Sequence, residues 1–294
     1  MNISVIGGGK WGQALHFAFS KNHRSIITSR TKKDIPNFVS LEEALGGEYL
    51  VMALPAQIIG EWLKKNFKYN NQKVMIAAKG IEESSGRFLN EIFADFIPKE
   101  NLAYLSGPSF AAEVMKALPT ALVVSSKNES LAKKFCEFFP NFIKSYADDD
   151  IIGAEVSGAY KNVLAIASGV CDGLELGLNA RASLIARGLV EMQRFGLSFG
   201  AKEATFLGLS GAGDLFLTAS SVLSRNYRVG VALAKGTKLD EILHELGEVA
   251  EGVLTSRAVS KISKERGIYT PIAREVSMII NGKSPHESLR DLLA

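Results

Sequence analysis

Only two cysteines, Cys136 and Cys171, occur in 294 residues. They form no CxxC pair and supply no disulfide framework. Histidine is nearly as scarce. His16, His23, His244 and His286 are scattered, and none stands at metal-ligand spacing from a cysteine or another histidine. They read as surface or incidental core residues, and no metal is expected. No apolar run approaches the roughly 18 residues of a membrane span. The start, "MNISVIGGG", has no basic leader and enters a strand at once. The expectation is a cytoplasmic protein with no membrane insertion. Charge of one sign is missing too. The net charge is +3 with acids and bases interspersed, which leaves no basic stripe for a nucleic-acid partner. The pairs Lys32-Lys33, Lys64-Lys65 and Lys133-Lys134 read as solvated faces.

What is present is an alternating pattern. "ISVIG" is a short apolar run ending in glycines, as a buried parallel strand would be. "WGQALHFAFSKN" then has helical spacing, and "RSIITSR" is a second strand. The alternation continues through helix "SLEEAL", strand "EYLVMALP", helix "AQIIGEWLKKN", strand "KVMIAAKG" and helix "GRFLNEIFADF". Strands "LAYLSGP", "TALVVSS" and "NFIKSYA" complete the series. Such alternation predicts a Rossmann-type, doubly wound, mostly parallel sheet in an α/β domain. After "YADDDIIG" the pattern becomes helix upon helix. The predicted organisation is a dinucleotide-binding domain over 1–147 and an all-α substrate domain over 148–294. There is no low-complexity tract and no solenoid repeat.

"VIGGGKWG" places Gly7-x-Gly9-x-x-Gly12 between the first strand and the first helix. In that context Gly7 permits the tight turn and Gly9 lets the backbone approach a pyrophosphate. Gly12 allows close helix packing, and the helix N-terminus offers N–H groups to phosphate. At the end of the second strand, where NAD-preferring sites carry an acid, the chain reads Ser29-Arg30-Thr31-Lys32-Lys33. Arg30 either pairs with an adenosine 2′-phosphate or simply faces solvent. The first reading makes NADP(H) the preferred cofactor, with NAD(H) possible.

Three later loops follow strand ends: Leu54-Pro55-Ala56, Lys79-Gly80, and "SGPSFAAE" from Ser106 to Glu113. Ligands bind beyond the carboxyl ends of such strands. Lys79 is therefore expected to point out of the sheet's end. Gly107 and Ser109 are expected at an anion-binding turn before a helix. Lys161 is a second lysine of note, because it interrupts the apolar helix "VSGAYKNVLAIASG". Gly153, Ser157, Ala165 and Gly169 share its face at four-residue spacing. That small-residue stripe leaves room for another backbone or a ligand, so Lys161 either snorkels or works in a pocket. Asp214, in "SGAGDLFLT", is an N-cap or the orienter of a lysine or hydroxyl. Ser224-Arg225-Asn226 offers a fork and an amide to a phosphate at a helix start, or is only surface.

These segments carry a resemblance. "GAYKNVLAIASGVCDGLELGLN", with "GGGKWG", the "AAKG" lysine, "SGPSFAAE", "RGLVEM", "LSGAGDLFLT", "SRNYRVG" and "VAEG" in that order, resembles bacterial-type NAD(P)-dependent glycerol-3-phosphate dehydrogenase over nearly the whole chain. Two features depart from it: Tyr160 stands where an aliphatic residue is usual, and the segment after Arg30 is short. The resemblance implies hydride transfer between nicotinamide and C2 of dihydroxyacetone phosphate, for glycerophospholipid synthesis. It implies Lys161 as general acid/base, Lys79 and Asp214 beside it, and Gly107, Ser109, Ser224, Arg225 and Asn226 on the substrate. Lys10, Trp11, Pro55, Ala111, Val249 and Glu251 join the glycines, Arg30, Lys79 and Arg225 on the cofactor. A homodimer is compatible.

The residue chemistry fits this, because reducing a ketone needs a proton donor and positive charge at its oxygen. An ordinary lysine, with a pKa near ~10.4, is already the acid for reduction but a poor base, which points to a biosynthetic reductase. Two other readings remain: a β-hydroxyacid or ketopantoate-type reductase of the same plan, and a non-catalytic NAD(P) sensor.

Overall fold

A computed structural model describes residues 2–247 and 250–293. The first half runs β1 (Asn2–Ile6), α1 (Lys10–Phe19), β2 (Arg24–Thr28), α2 (Leu41–Leu45), β3 (Tyr49–Met52), α3 (Ile59–Asn66), β4 (Lys73–Ile76) and α4 (Leu89–Ala94). It continues with β5 (Leu102–Ser106), α5 (Ala111–Val114), β6 (Thr120–Ser125), α6 (Glu129–Cys136) and β7 (Ile143–Asp148). The strands form one sheet in the order β2-β1-β3-β4-β5-β6-β7. All neighbours are parallel except β5 and β6.

Both faces of this sheet are covered, which is why its strands read as continuous apolar runs. Ile3, Val5, Val51, Met75 and Leu105 pack with Leu15 and Phe19 of α1 and Phe135 of α6. Their strand neighbours Ile6, Leu50, Met52, Val74 and Ile76 pack on the opposite side with Ile59 and Leu63 of α3 and Phe93 of α4. Alternation at a period of two sends each set to its own layer. The strand order turns back between β1 and β3, so the ligand crevice is expected at their carboxyl ends.

The second half is helical: α7 (Ile151–Gly173), α8 (Gly177–Leu197), α9 (Glu203–Leu207), α10 (Asp214–Ala219), α11 (Arg225–Ala234), α12 (Leu239–Leu246), α13 (Glu251–Arg266), α14 (Pro271–Ile280) and α15 (Pro285–Leu293). Helix α7 is its axis. Every residue from Gly153 to Cys171 is buried, as expected of a helix apolar on all sides. The small-residue stripe lets α11 approach backbone to backbone. A Cβ on Gly169 would lie 2.0 Å from the Tyr227 carbonyl oxygen, and one on Gly230 would lie 2.0 Å from that of Ile166. Asp150 caps α7 by accepting from Gly153 N at 2.9 Å, and its second oxygen accepts from Lys202 N and Thr205 Oγ1. The start of the axial helix is thereby tied to α9 directly after the sheet ends.

Two carboxyl groups on the helical side are buried yet satisfied. Glu191 accepts from Tyr160 Oη and from the Ile272 and Ala273 N–H groups, each at 2.8 Å. This gives the unusual Tyr160 hydroxyl its partner and caps the start of α14. Glu155 accepts from the backbone and the side chain of Asn90, and burial pushes its pKa up to about 8. Its folded pKa therefore exceeds the unfolded value, so the native state binds the extra proton between roughly pH 4.5 and 8 and loses stability as pH rises across that window. Glu155→Gln, neutral at every pH, is expected to melt a few degrees above the parent at pH 8 and level with it near pH 4.5. Thermal melts at the two pH values check this. A variant that is less stable at pH 8 would mean that the carboxylate is stabilising.

Candidate active site

The glycine loop closes on itself for steric reasons. Gly7 has φ of +122° and lies against β3, where a Cβ would sit 2.4 Å from the Ala53 carbonyl oxygen. A Cβ on Gly12 would meet the Gly7 carbonyl oxygen at 1.8 Å, so α1 can enter the turn only without one. Gly9 differs, because nothing lies within 4 Å of where its Cβ would be. No side chain caps α1 and no acid stands in its first turn, so its N–H groups remain available to an anion. The open position at Gly9 and this uncapped ten-residue helix fit a dinucleotide pyrophosphate. Trp11 reaches across the sheet end and donates from Nε1 to the Ala77 carbonyl at 3.1 Å. Lys10 is exposed at the helix start, Pro55 is exposed after β3, and Ala111 is half-buried at the start of α5.

On the adenosine side, Arg30 stands exposed beyond β2. The cation held against the glycine loop is Lys33, one of a pair expected on a solvated face. Its Nζ donates to the Gly8 carbonyl at 2.7 Å. Proximity of a lysine three residues beyond Arg30 depends on how the intervening chain folds back, which sequence spacing does not reveal.

At the far ends of β4 and β5 the two halves meet around a charged cluster. Asp214, 1% exposed, receives Lys79 Nζ on Oδ2 at 2.7 Å and Lys161 Nζ on Oδ1. Lys79 also donates to the Gly107 carbonyl at 3.3 Å, and Lys161 to Thr218 Oγ1 at 3.0 Å. Lys79 indeed leaves the sheet end, and its stem lies against Gly158, where a Cβ would be 3.3 Å from Cγ. Lys161, 7% exposed, does not snorkel. Nor is Asp214 an N-cap. It follows a five-residue π-helical turn, Leu209–Gly213, as the first residue of α10. The Ser210 hydroxyl of that turn bonds the Ser106 hydroxyl at the end of β5 at 2.7 Å, which locks the turn to the sheet. Thr218 was not singled out from the sequence. Its position four residues after Asp214 puts it on the same helix face, and that spacing was the available signal.

Burial pulls the Lys161 ammonium down to about 7, with the Asp214 carboxylate opposing and Lys79 reinforcing the shift. For Asp214, burial alone would raise the carboxyl, but Lys161 and Lys79 outweigh it and hold it below the usual carboxylate range. Two amines thus share one carboxylate at the mouth of the sheet, a positive environment suited to an oxygen that gains negative charge.

The remaining expected residues lie around this centre with other partners as well. Gly107 has φ of +106° at the end of β5, and the Ser109 hydroxyl donates to its carbonyl at 3.2 Å. The helix that follows, α5, is a single turn. Ser224 caps α11 by accepting from Tyr227 N at 3.3 Å. Asn226 Oδ1 accepts from Gly252 N at 3.1 Å and so joins α11 to the start of α13. Arg225 is exposed, and its charge acts on Glu251. Glu251 crosses the crevice to accept from Ala56 N at 3.2 Å, and its second oxygen is buried without a hydrogen-bond partner. Burial raises its pKa, with the Ala56 N–H and Arg225 opposing. Val249 lies outside the described residues. Among the described residues no group of three or more His, Cys, Asp or Glu is placed to hold a metal, and no helix is long and apolar enough to cross a membrane.

Residues 30–132 match the profile of the NAD-dependent glycerol-3-phosphate dehydrogenase N-terminus, and residues 150–290 match that of its C-terminus. A glycerol-3-phosphate dehydrogenase [NAD(P)+] of Campylobacter jejuni subsp. doylei is 63% identical over 293 residues, covering 100% of this chain and 99% of the relative. The chain belongs to the NAD-dependent glycerol-3-phosphate dehydrogenase family. It is an oxidoreductase that uses a nicotinamide cofactor. The crystal structure of glycerol-3-phosphate dehydrogenase from Coxiella burnetii superposes with a TM-score of 0.91 at 31% identity, covering 99% of this chain and 98% of that one. A dimeric ketopantoate reductase from Staphylococcus aureus has a TM-score of 0.57 at 11% identity over 96% of this chain and 98% of its own, a likeness of fold alone. The keto-acid and sensor readings therefore fall. The N-terminal profile begins after the glycine loop, so the assignment of that loop stands on its own geometry.

Proposed function

We propose that the enzyme reduces dihydroxyacetone phosphate to sn-glycerol 3-phosphate in the cytoplasm, supplying the phosphorylated glycerol unit of phospholipids. NADPH is the preferred donor, and the working unit is a homodimer. The observation that carries this reading is the buried Lys161–Asp214–Lys79 cluster at the carboxyl end of a sheet whose first turn fits a pyrophosphate. In this reading residues 1–147 hold the cofactor and residues 148–294 complete the substrate site. Gly7, Gly9, Lys10, Trp11, Gly12 and Pro55 surround the pyrophosphate and nicotinamide ribose, with Ala111 and Glu251 closing over them. Arg30 and Lys33 face the adenosine 2′-phosphate. Gly107, Ser109, Ser224, Arg225 and Asn226 hold the substrate.

When bound, the cofactor supplies a hydride to the ketone carbon. The protein's part is the proton and the charge. Lys161 gives its proton to the ketone oxygen and takes it back in alcohol oxidation. Lys79 adds a second positive charge there, and Asp214 keeps both amines aimed at the same point. Burial draws the Lys161 pKa down from the ordinary lysine value to about 7, which makes the free amine needed as base in alcohol oxidation easier to form.

Opposite pH limbs are the expected signature. In steady-state assays at 340 nm, kcat/KM for reduction should fall as pH rises through about 7, because the ammonium is the acid. For oxidation it should rise through the same region, because the free amine is the base. NADPH should give the lower KM of the two donors. Parallel limbs in both directions would remove Lys161 from the proton transfer, and absence of turnover with dihydroxyacetone phosphate would remove the substrate assignment.

A further inference from the structure

The short segment after β2 is held by a histidine that the mechanism does not use. Before the short crossover helix α2, the chain from Ser29 to Ser40 makes a single parallel bridge, Ile27 to Phe38, on the outer edge of β2. Ile27 N donates to the Asn37 carbonyl at 3.1 Å, and Val39 N donates to the Ile27 carbonyl at 3.0 Å. Asn37 takes a positive φ of 57° to make the turn. One bridge is a weak attachment for twelve residues, and the second attachment comes from α1. His16, 4% exposed, has Nε2 at 2.9 Å from the Pro36 carbonyl and Nδ1 at 2.8 Å from Ser25 Oγ. A carbonyl can only accept, so Nε2 carries the hydrogen and Nδ1 accepts from the Ser25 hydroxyl. Burial keeps the ring neutral, which suits this arrangement. Both ring nitrogens are satisfied, and the ring joins α1, β2 and the loop at one point. Three residues before Pro36 stands Lys33, the cation resting on the Gly8 carbonyl.

We propose that His16 is a positioning residue for the cofactor: by holding the Pro36 carbonyl it keeps Lys33 over the glycine loop and so sets the preference for a dinucleotide carrying a 2′-phosphate. This rests on the NADPH reading above. Without the His16 bond, the loop keeps its hydrophobic contacts at Ile35 and Phe38. It loses the polar anchor that fixes the direction in which Lys33 leaves the backbone. The effect is confined to the adenosine end, because the Lys161–Asp214–Lys79 cluster lies across the sheet beyond β4 and β5.

Dissociation constants for NADPH and NADH from fluorescence titration, beside steady-state kinetics, of His16→Ala, His16→Gln and Lys33→Ala test this, and the two should move together. His16→Ala should raise KM for NADPH about 10-fold, the size expected for a lost charge-assisted contact. It should raise KM for NADH less than 2-fold and leave KM for dihydroxyacetone phosphate unchanged. His16→Gln, whose amide can donate to Pro36 and accept from Ser25, should recover most of the NADPH affinity. Lys33→Ala should match His16→Ala, and the double variant should be no worse than either, since both act through one contact. A selective NADPH effect in Lys33→Ala with none in His16→Ala overturns the positioning role while sparing the NADPH reading. No selective effect in Lys33→Ala overturns the positioning role, because the cation then does not meet the 2′-phosphate, whereas equal affinities of the parent enzyme for the two dinucleotides overturn the NADPH reading. If His16→Ala does not accumulate folded, His16→Asn, too short to reach Pro36, reads the same split.

Discussion

Lys161→Ala is expected to lower the reduction of dihydroxyacetone phosphate by about 10³-fold or more while leaving cofactor affinity within a few-fold of the parent. General acid–base groups contribute roughly 10² to 10⁴ in rate. In the proposed mechanism Lys161 belongs in the upper part of that range, because burial lowers its pKa from the ordinary lysine value and because its charge would also meet the developing oxyanion. The loss should appear in kcat rather than in the cofactor's dissociation constant, since the glycine loop and α1 lie apart from the cluster. Folding should survive. The alanine fits an all-buried helix, and Asp214 keeps Lys79 at 2.7 Å. Stopped-flow absorbance at 340 nm with fluorescence titration of the cofactor separates the two quantities. If the variant keeps a tenth of the parental rate, the proton comes from elsewhere, and Lys79 is the next group to test.

Asp214→Asn should damage both stability and the proton transfer. Removing one partner of a buried ionic group costs about 3–5 kcal/mol, because the other charge is left without compensation. Here two amines lose a shared carboxylate that is 1% exposed. For a chain of this size that corresponds to a melting temperature about 10 °C lower. The carboxylate also opposes the burial that depresses Lys161, so its loss should move the reduction limb of the pH–rate profile to more acid pH. With less negative charge nearby, the ammonium gives up its proton more readily. Differential scanning calorimetry and the pH profile of the residual activity report the two effects separately. An unchanged melting point together with an unchanged profile would show that Asp214 is a spectator.

Both predictions concern residues that were visible as oddities in the sequence, for different reasons. Lys161 stood out because a charged amine interrupted an apolar helix, and burial of that helix on all sides removed the snorkelling alternative. Asp214 did not stand out in the same way, since aspartate at a helix start serves as a cap as readily as it orients a lysine or a hydroxyl. Only the π-helical turn of Leu209–Gly213, fastened to β5 through Ser210 and Ser106, turns its carboxylate towards the lysines. The helix expected after "SGPSF" is present as the single turn Ala111–Val114.

The sequence by itself determined the alternation of strands and helices, the change to helices beyond the last strand, the glycine turn and the likeness to one dehydrogenase family. Each of these is local or periodic. An apolar period of two or 3.6, or a glycine where no Cβ fits, is written into neighbouring residues and survives without tertiary knowledge. Tertiary structure alone decided that Lys79 and Lys161, 82 positions apart, share the carboxylate of Asp214. It also decided that Lys33 rather than Arg30 rests on the glycine loop, and that His16 anchors the segment carrying it. Those are contacts between elements whose spacing along the chain carries no information about their distance in space. Desolvation decides the rest: a lysine's pKa depends on what covers it, and the covering of Lys161 exists only after α7, α10 and the end of the sheet have packed together.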